Sequence, residues 1–122
     1  MFVEGLRVYG YHGVHPEERS LGQRFVVDVR VRLDLRPAGA SDEPGDTISY
    51  SAVAKRAQAV VGGPPRRLLE AVAEELAGGL LAEFPAAAAV TVALRKPEAP
   101  VKGAHFDAVG VRIHRERNEA VP

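Results

Sequence analysis

Cysteine and tryptophan are both absent from the 122 residues of the chain. Without cysteine, disulfides, thiolate nucleophiles, iron–sulfur clusters and cysteine-ligated zinc sites are excluded. An excess of charge is also missing, because 16 Lys and Arg residues balance 16 Asp and Glu residues. A balanced chain has no long-range field to attract nucleic acid or an anionic membrane surface. We therefore expect neither as a partner.

Long apolar runs are lacking as well. No segment approaches the ~20 apolar residues that a membrane-spanning helix needs. The segment Met1–Arg7 does not have the basic, apolar and small residues of a signal peptide in that order. The length fits one domain, since domains commonly have ~100–150 residues. We therefore expect a cytoplasmic protein with a single domain over residues 1–122.

The strongest pattern that is present is an alternation of period two. From Arg24 to Arg36 every odd position is apolar, and the even positions are polar except for Val26. This alternation predicts a long strand with one buried face and one face in water. The shorter pattern over Phe2–Tyr9 predicts its antiparallel partner, and residues 10–22 are predicted to form the loop between them.

Helical spacing replaces the alternation in the middle of the chain, after a turn-rich connection over 37–46. Apolar residues between Val53 and Val61 predict a first helix, with Ser49 or Ser51 as its N-cap. The segment Gly62–Pro65 ends this helix. An apolar stripe predicts a second helix over 66–84.

Two further alternating segments, 90–95 and 109–114, predict the last two strands, and residues 118–122 are expected to be a frayed tail. The order strand, strand, helix, helix, strand, strand predicts an α+β fold, with two helices on one face of a four-stranded antiparallel sheet. Such a sheet has free edges, and monomers rarely leave long edges exposed. We therefore expect a homo-oligomer that joins its sheets edge to edge.

Polar residues are densest in the loop between the first two strands. One interpretation is a wide hairpin loop with glycines at positive φ and solvated charges; the other is a functional site, since sites collect on loops held by rigid strands. His12 and His15 suggest a metal, with His105 and His114 as further ligands. However, His12 and His15 lie three residues apart in a loop that contains Gly and Pro, so we predict no metal site.

Three other residues have both a structural and a chemical interpretation. Lys96 ends a strand before a proline, where it is either a solvated charge or a catalytic amine made less basic by burial or a neighbouring cation. Glu70 opens a helix, where it either complements the helix dipole or binds an amidine-like group through two hydrogen bonds. Tyr50 is either a packing residue or a phenol that transfers protons. The spacing alone does not choose between these roles.

Five motifs, in order over nearly the whole chain, resemble those of the dihydroneopterin aldolase family. They comprise Gly5–Val14, Glu18 with Leu21–Val29, Asp46–Tyr50, Leu68–Glu70, and Lys96–Pro97 with Gly110–Val111. The resemblance implies the tunnelling fold, in which four subunits form a ring around a β-barrel and two rings stack into an octamer. It also implies sites between subunits.

The resemblance further implies a retro-aldol reaction of folate biosynthesis, in which 7,8-dihydroneopterin gives 6-hydroxymethyl-7,8-dihydropterin and glycolaldehyde. Many members also epimerise C2′. The C=N bond of the dihydropterin ring accepts the electrons of the breaking bond, so the reaction needs no Schiff base, metal or other cofactor. The protein then supplies positioning and proton transfer.

The resemblance assigns a role to each candidate residue. It makes Lys96 the catalytic lysine, with Glu18 assisting it directly or through water. Tyr50 is expected to act across the subunit interface as a proton donor to the enol intermediate. Glu70 is expected to bind the amino-pyrimidine edge of the pterin. The first proton acceptor is either Lys96 or a water held by Glu18 and Tyr50.

Backbone groups near Ile48 and Leu69 are expected to complete the pterin site. Two features depart from the family pattern: Lys102 where a proline usually precedes Gly103, and the pair Arg66–Arg67 before the pterin-binding segment. These cations keep an epimerase of dihydroneopterin or its triphosphate open as an alternative. A non-catalytic pterin-binding ring protein and, more remotely, a zinc-dependent relative are the other hypotheses.

Overall fold

The computed structural model of the protein describes residues 1–119. Its four strands are β1 (Phe2–Gly10), β2 (Gln23–Arg32), β3 (Ala89–Lys96) and β4 (Val109–Glu116). Its α-helices are α1 (Pro16–Leu21), α2 (Arg36–Ser41), α3 (Tyr50–Val61) and α4 (Leu69–Glu83), and short 3-10 turns cover Pro44–Asp46 and Arg117–Glu119. The strands form one antiparallel sheet in the order β1-β2-β3-β4.

The alternation in β2 faces its apolar side chains toward α3 and α4, as predicted. Val27 lies opposite Leu94 of β3, and Val29 lies opposite Val92. The buried residues of α3 and α4 join these side chains in one apolar cluster. Burying this surface is the main favourable term for the fold. The predicted architecture, an α+β fold with a four-stranded antiparallel sheet, is confirmed.

The ends of β2 and of the connection after it differ from the prediction. The strand stops at Arg32 rather than Arg36, because its pairing with β3 ends where Arg32 meets Ala89. The predicted connection over 37–46 contains α2 and a 3-10 turn. Pro37 lies in the first turn of α2, where its missing N–H costs no helical hydrogen bond.

The two long helices begin where specific polar contacts place them. Ser49, and not Ser51, caps α3, because its Oγ accepts a hydrogen bond from the N–H of Ala52 at 3.2 Å. The second helix begins at Leu69 and not at Arg66. The backbone N–H and carbonyl of Arg66 are both bonded to the loop after β1, so this segment does not enter the helix.

The predicted loop over 10–22 contains the short helix α1. Pro16 occupies its first turn, and the carboxylate of Glu18 accepts a hydrogen bond from the N–H of His15 at 3.3 Å. Six residues make fewer than two helical turns, so they are too few for an apolar periodicity that would predict such a helix. The sequence signal that was available is Pro16 followed by two acidic residues, which is typical of a helix N-terminus.

The edges of the sheet are β1 and β4. Over residues 1–119, no helix is both long and apolar enough to cross a membrane. The predicted tail begins inside the 3-10 turn that ends at Glu119, and its remainder, 120–122, lies outside the described residues.

Candidate active site

A buried ion pair joins the first short helix to the end of β3. Nζ of Lys96 donates a hydrogen bond of 2.8 Å to Oε2 of Glu18. Both residues are only 8% exposed. Charged side chains are rarely buried unless they are paired, and the two charges here compensate each other in a site that excludes most water. The structure therefore brings together two of the three predicted catalytic residues.

Further donors surround the Glu18 carboxylate. The amide Nε2 of Gln23 donates to Oε2 at 2.8 Å, and the backbone N–H of His15 donates to Oε1. Burial alone would raise the pKa of the Glu18 carboxyl, but the hydrogen bonds from Lys96, Gln23 and His15 outweigh it and hold that pKa below its usual range. Glu18 is therefore an anion at neutral pH.

The charged neighbour of Lys96 is this carboxylate. Arg95 precedes Lys96 in β3, but successive residues of a strand point to opposite faces, and the guanidinium of Arg95 pairs with Asp28 at 2.8 Å. Lys102 is exposed in a turn next to Gly103, which has a φ of 79°. Over the described part of the chain, the ion pair of Lys96 is the one with Glu18.

Gly13 makes room for the Glu18 carboxylate. A Cβ atom at this position would overlap the carboxyl group of Glu18. The expectation of loop glycines at positive φ holds for Gly22, whose φ is 72°, but neither Gly10 nor Gly13 has a positive φ. Gly13 is thus required for space rather than for its backbone conformation, and its role was missed because the overlap depends on a residue five positions away.

His12 has a structural role in this site. It is fully buried, its Nδ1 accepts the backbone N–H of Arg66 at 3.0 Å, and its Nε2 lies 2.6 Å from the carbonyl of Val61. Because Nδ1 is an acceptor, Nε2 carries the proton and donates to Val61. Burial lowers the pKa of the imidazole, outweighing the opposing bond to Val61. Neither nitrogen is free to bind a metal.

The other histidines do not join His12. His15 is exposed before α1, and His114 contacts Thr91 and Glu116 on the face of the sheet away from the core helices. Within residues 1–119, no group of three or more His, Asp or Glu side chains is placed to hold a metal ion.

The predicted pterin-binding residues lie at the starts of the two long helices. Glu70 is exposed in the first turn of α4, and over residues 1–119 its carboxylate has no ion pair. Leu69 and Ile48 are buried. The N–H of Arg66 donates to Nδ1 of His12, and the carbonyl of Arg66 accepts from the N–H of Gly13. These two hydrogen bonds hold the segment before α4 against the loop that leads to Glu18. Arg66 itself pairs with Glu75 at 3.0 Å.

Tyr50, the third predicted catalytic residue, lies at the opposite end of α3 from the loop that leads to Glu18. It is the first residue of α3 and is 74% exposed. The other end of α3, at Val61, is the end that contacts His12. At a rise of 1.5 Å per residue these ends are about 16 Å apart. In the described chain no hydrogen bond joins Tyr50 to Glu18 or Lys96.

Comparison with known proteins assigns this arrangement to a family. A sequence model described as "FolB: Dihydroneopterin aldolase" matches residues 1–114. The chain belongs to the dihydroneopterin aldolase family. It is 41% identical over 118 residues to the dihydroneopterin aldolase of Bacillus subtilis (strain 168), with 97% of this chain and 98% of that relative covered.

Two solved structures of the dihydroneopterin aldolase family are similar in fold. The E. coli dihydroneopterin aldolase in complex with neopterin has a TM-score of 0.86 at 36% identity, covering 94% of this chain and 96% of that chain. The dihydroneopterin aldolase from Burkholderia thailendensis bound to guanine has a TM-score of 0.75 at 26% identity, covering 95% and 88%. The resemblance inferred from the sequence motifs is therefore confirmed.

Proposed function

We propose that the protein cleaves 7,8-dihydroneopterin into 6-hydroxymethyl-7,8-dihydropterin and glycolaldehyde, as a cytoplasmic enzyme of folate biosynthesis. The observation that supports this most directly is the buried Lys96–Glu18 pair. It lies in a chain whose relatives of the same length are named dihydroneopterin aldolases. A buried acid–base pair is suited to moving protons at a reacting centre.

The pterin binds through Glu70. A carboxylate accepts two parallel hydrogen bonds from a group that carries adjacent N–H donors, and the amino-pyrimidine ring of a pterin presents such an edge. Neopterin and guanine, the ligands of the two related structures, share this ring. Glu70 is exposed and unpaired within residues 1–119, so its carboxylate is free to accept both bonds. Backbone groups near Leu69 and Ile48 complete the contact.

The reaction is an exchange of protons around a single breaking C–C bond. In the resting pair Lys96 carries its proton toward Glu18, so Lys96 acts as the acid that protonates the ring nitrogen. A water held by Glu18 and Tyr50 takes the proton of the C2′ hydroxyl and passes a proton to the Glu18 carboxylate, and the C1′–C2′ bond breaks to release glycolaldehyde. The electrons enter the ring as an enamine. Tyr50 then protonates C1′ as the ring N–H returns its proton to Lys96, and Glu18 returns its proton to Tyr50 through the water.

The substrate is its own electron sink in this scheme. The ring C=N bond lies next to the breaking bond, so neither a Schiff base to Lys96 nor a metal ion is needed. Rotation of the bound aldehyde and its addition from the other face would give the C2′ epimer. We propose this epimerisation as a side activity of the same site.

The active site is completed by a second subunit. Tyr50 is exposed about 16 Å along α3 from the end that contacts the Glu18 loop. The sheet also has two open edges, β1 and β4, and strand edges favour pairing with another chain. We propose that four subunits close these edges into a barrel, that Tyr50 enters the site of a neighbour, and that two rings stack into an octamer.

Purified protein incubated with 7,8-dihydroneopterin should release glycolaldehyde, and chromatography of the same samples should show the C2′ epimer. The control is Lys96→Ala, for which turnover should fall by about 10²–10⁴-fold, the usual contribution of acid–base catalysis. Equal product from both proteins, or tight pterin binding with no turnover, would contradict the proposal. Chelator treatment should leave the rate unchanged, whereas inhibition would indicate a zinc enzyme.

A further inference from the structure

The side chain of Gln23 contains a buried oxygen without a partner. Gln23 is the first residue of β2, opposite Gly10 of β1. Its Nε2 donates to Oε2 of Glu18 at 2.8 Å, while its Oε1 is buried and makes no hydrogen bond to residues 1–119. A buried acceptor without a donor destabilises a protein, so such an atom requires an explanation.

The orientation of the amide supplies that explanation. Rotating the amide by 180° would place Oε1 against the Glu18 carboxylate, so two acceptors would face each other. The observed orientation instead leaves the oxygen unpaired and directs the amino group at Glu18. The orientation of the amide therefore satisfies the Glu18 carboxylate at the cost of leaving Oε1 unpaired.

The contact falls on the oxygen that also binds Lys96. Oε2 of Glu18 accepts from Gln23 Nε2 and from Lys96 Nζ, each at 2.8 Å. The backbone N–H of His15 holds the other oxygen more weakly, at 3.3 Å. Without Gln23, Lys96 would be the only side chain among residues 1–119 that hydrogen-bonds to the carboxylate and restrains its rotation.

We infer that Gln23 is a positioning residue of the active site, whose amide holds Oε2 of Glu18 against Nζ of Lys96. The effect of Gln23 on turnover rests on the proposed function, whereas its effect on the position of the Glu18 carboxylate does not.

Among residues 1–119, Lys96 is the charged side chain that pairs with this carboxylate. Lys96 faces it from β3, and His12, in the loop before α1, is neutral because its Nδ1 accepts a hydrogen bond. Loss of the Gln23 donor removes one of the hydrogen bonds that lower the pKa of Glu18 and leaves the opposing effect of burial. Both the resting geometry and the protonation of Glu18 should therefore respond to Gln23.

The test replaces Gln23 with methionine, which has a similar length but neither a donor nor an acceptor. For Gln23→Met we expect at most a small fall in thermal midpoint, because the lost hydrogen bond to the Glu18 carboxylate is offset by removal of the unpaired oxygen. We expect kcat to fall on the order of tenfold with KM changed less than about twofold, and the acid limb of the pH–rate profile to move to higher pH. Gln58→Met, at an exposed position of α3, is the matched control and should change none of these.

A carboxyl ¹³C titration of Glu18, assigned with Glu18→Gln, measures the same effect without any assay of activity. The pKa of Glu18 should be higher in Gln23→Met than in the parent protein. If the parent protein fails to cleave dihydroneopterin, the proposed function is wrong, and this titration still decides the role of Gln23.

Three results would overturn the inference. One is a Glu18 titration that does not move in Gln23→Met, and another is an unchanged kcat. The third is a fall in thermal midpoint much larger than the loss of one hydrogen bond accounts for, which would show that Gln23 serves mainly to stabilise the fold. Gln23→Glu gives an independent test, because a second carboxylate beside Glu18 should raise the pKa further than methionine does.

Discussion

The two ends of the candidate site are built differently. At the Glu18–Lys96 end, both charged groups are buried, each is hydrogen-bonded, and Gly13 leaves space for the carboxylate. At the other end, Glu70 and Tyr50 are exposed at the starts of two helices. Within residues 1–119, Glu70 has no ion pair, and Tyr50 makes no hydrogen bond to Glu18 or Lys96. The chain thus preorganises the Glu18–Lys96 pair and leaves Glu70 and Tyr50, for which we propose pterin binding and proton donation, exposed.

The buried end should depend strongly on keeping both partners. Lys96→Met leaves the Glu18 carboxylate buried without its cation, so we expect the free energy of unfolding to fall by about 3 kcal/mol. We also expect turnover to be lost. Adding Glu18→Gln should restore most of the stability but none of the activity. Urea unfolding of the two single variants and the double variant measures this. Additive losses would mean that the pair is not coupled.

The open end should be completed by a second copy of the chain. If Tyr50 serves the site of a neighbour, Tyr50→Phe and Lys96→Ala subunits that are each nearly inactive should regain activity when unfolded, mixed and refolded together. With equal random mixing, about one site in four has both native residues, so about a quarter of the parent activity is expected. Mixtures no more active than their components would place Tyr50 and Lys96 in the same chain's site or outside catalysis.

Glu70 should affect binding without affecting stability. In Glu70→Gln one acceptor of the two-point contact becomes a donor that faces a donor, so the pterin Kd should rise by about tenfold or more. Because Glu70 is exposed, the thermal midpoint of the Glu70→Gln variant should stay within about a degree of the parent value. Calorimetric titration with neopterin, with Glu74→Gln on the same helix as control, measures the difference. An unchanged Kd would remove Glu70 from the pterin site.

The smallest expected effect is the response of stability to acid, which also comes from the buried end. The pKa of His12 is below its ordinary value of 6.5, so the unfolded chain takes up this proton first and stability is lost as the pH falls from about 6.5. The pKa of Glu18 is below 4.5, so a second loss begins under about pH 4.5. His12→Gln should remove the first step from a plot of unfolding free energy against pH. If the first loss of stability persists in His12→Gln, a group other than His12 is responsible for it.

How far the sequence predicts this molecule depends on the range of the interaction involved. The alternation in β2 was decisive because one buried face imposes period two over ten residues. The six-residue helices α1 and α2 were missed because they are too short for a periodic pattern. The motifs indicated Glu18 and Lys96 as catalytic residues by resemblance. They did not predict the ion pair, because the two residues are 78 positions apart in the sequence. The orphaned oxygen of Gln23 depends on the atoms around it, which no spacing rule describes.

The position of His12 has a consequence for how the chain acquires its site. The imidazole joins the end of β1 to residues 49 and 54 positions later, at the end of α3 and before α4. Contacts between residues this far apart in sequence form later than the local contacts of a helix or a hairpin, because the entropy of loop closure is lost before such contacts stabilise the chain. A partly folded chain with its hairpin and helices in place would therefore still lack the ion pair. Recovery of turnover after dilution from urea should follow the slowest refolding phase and not the earlier return of helical signal.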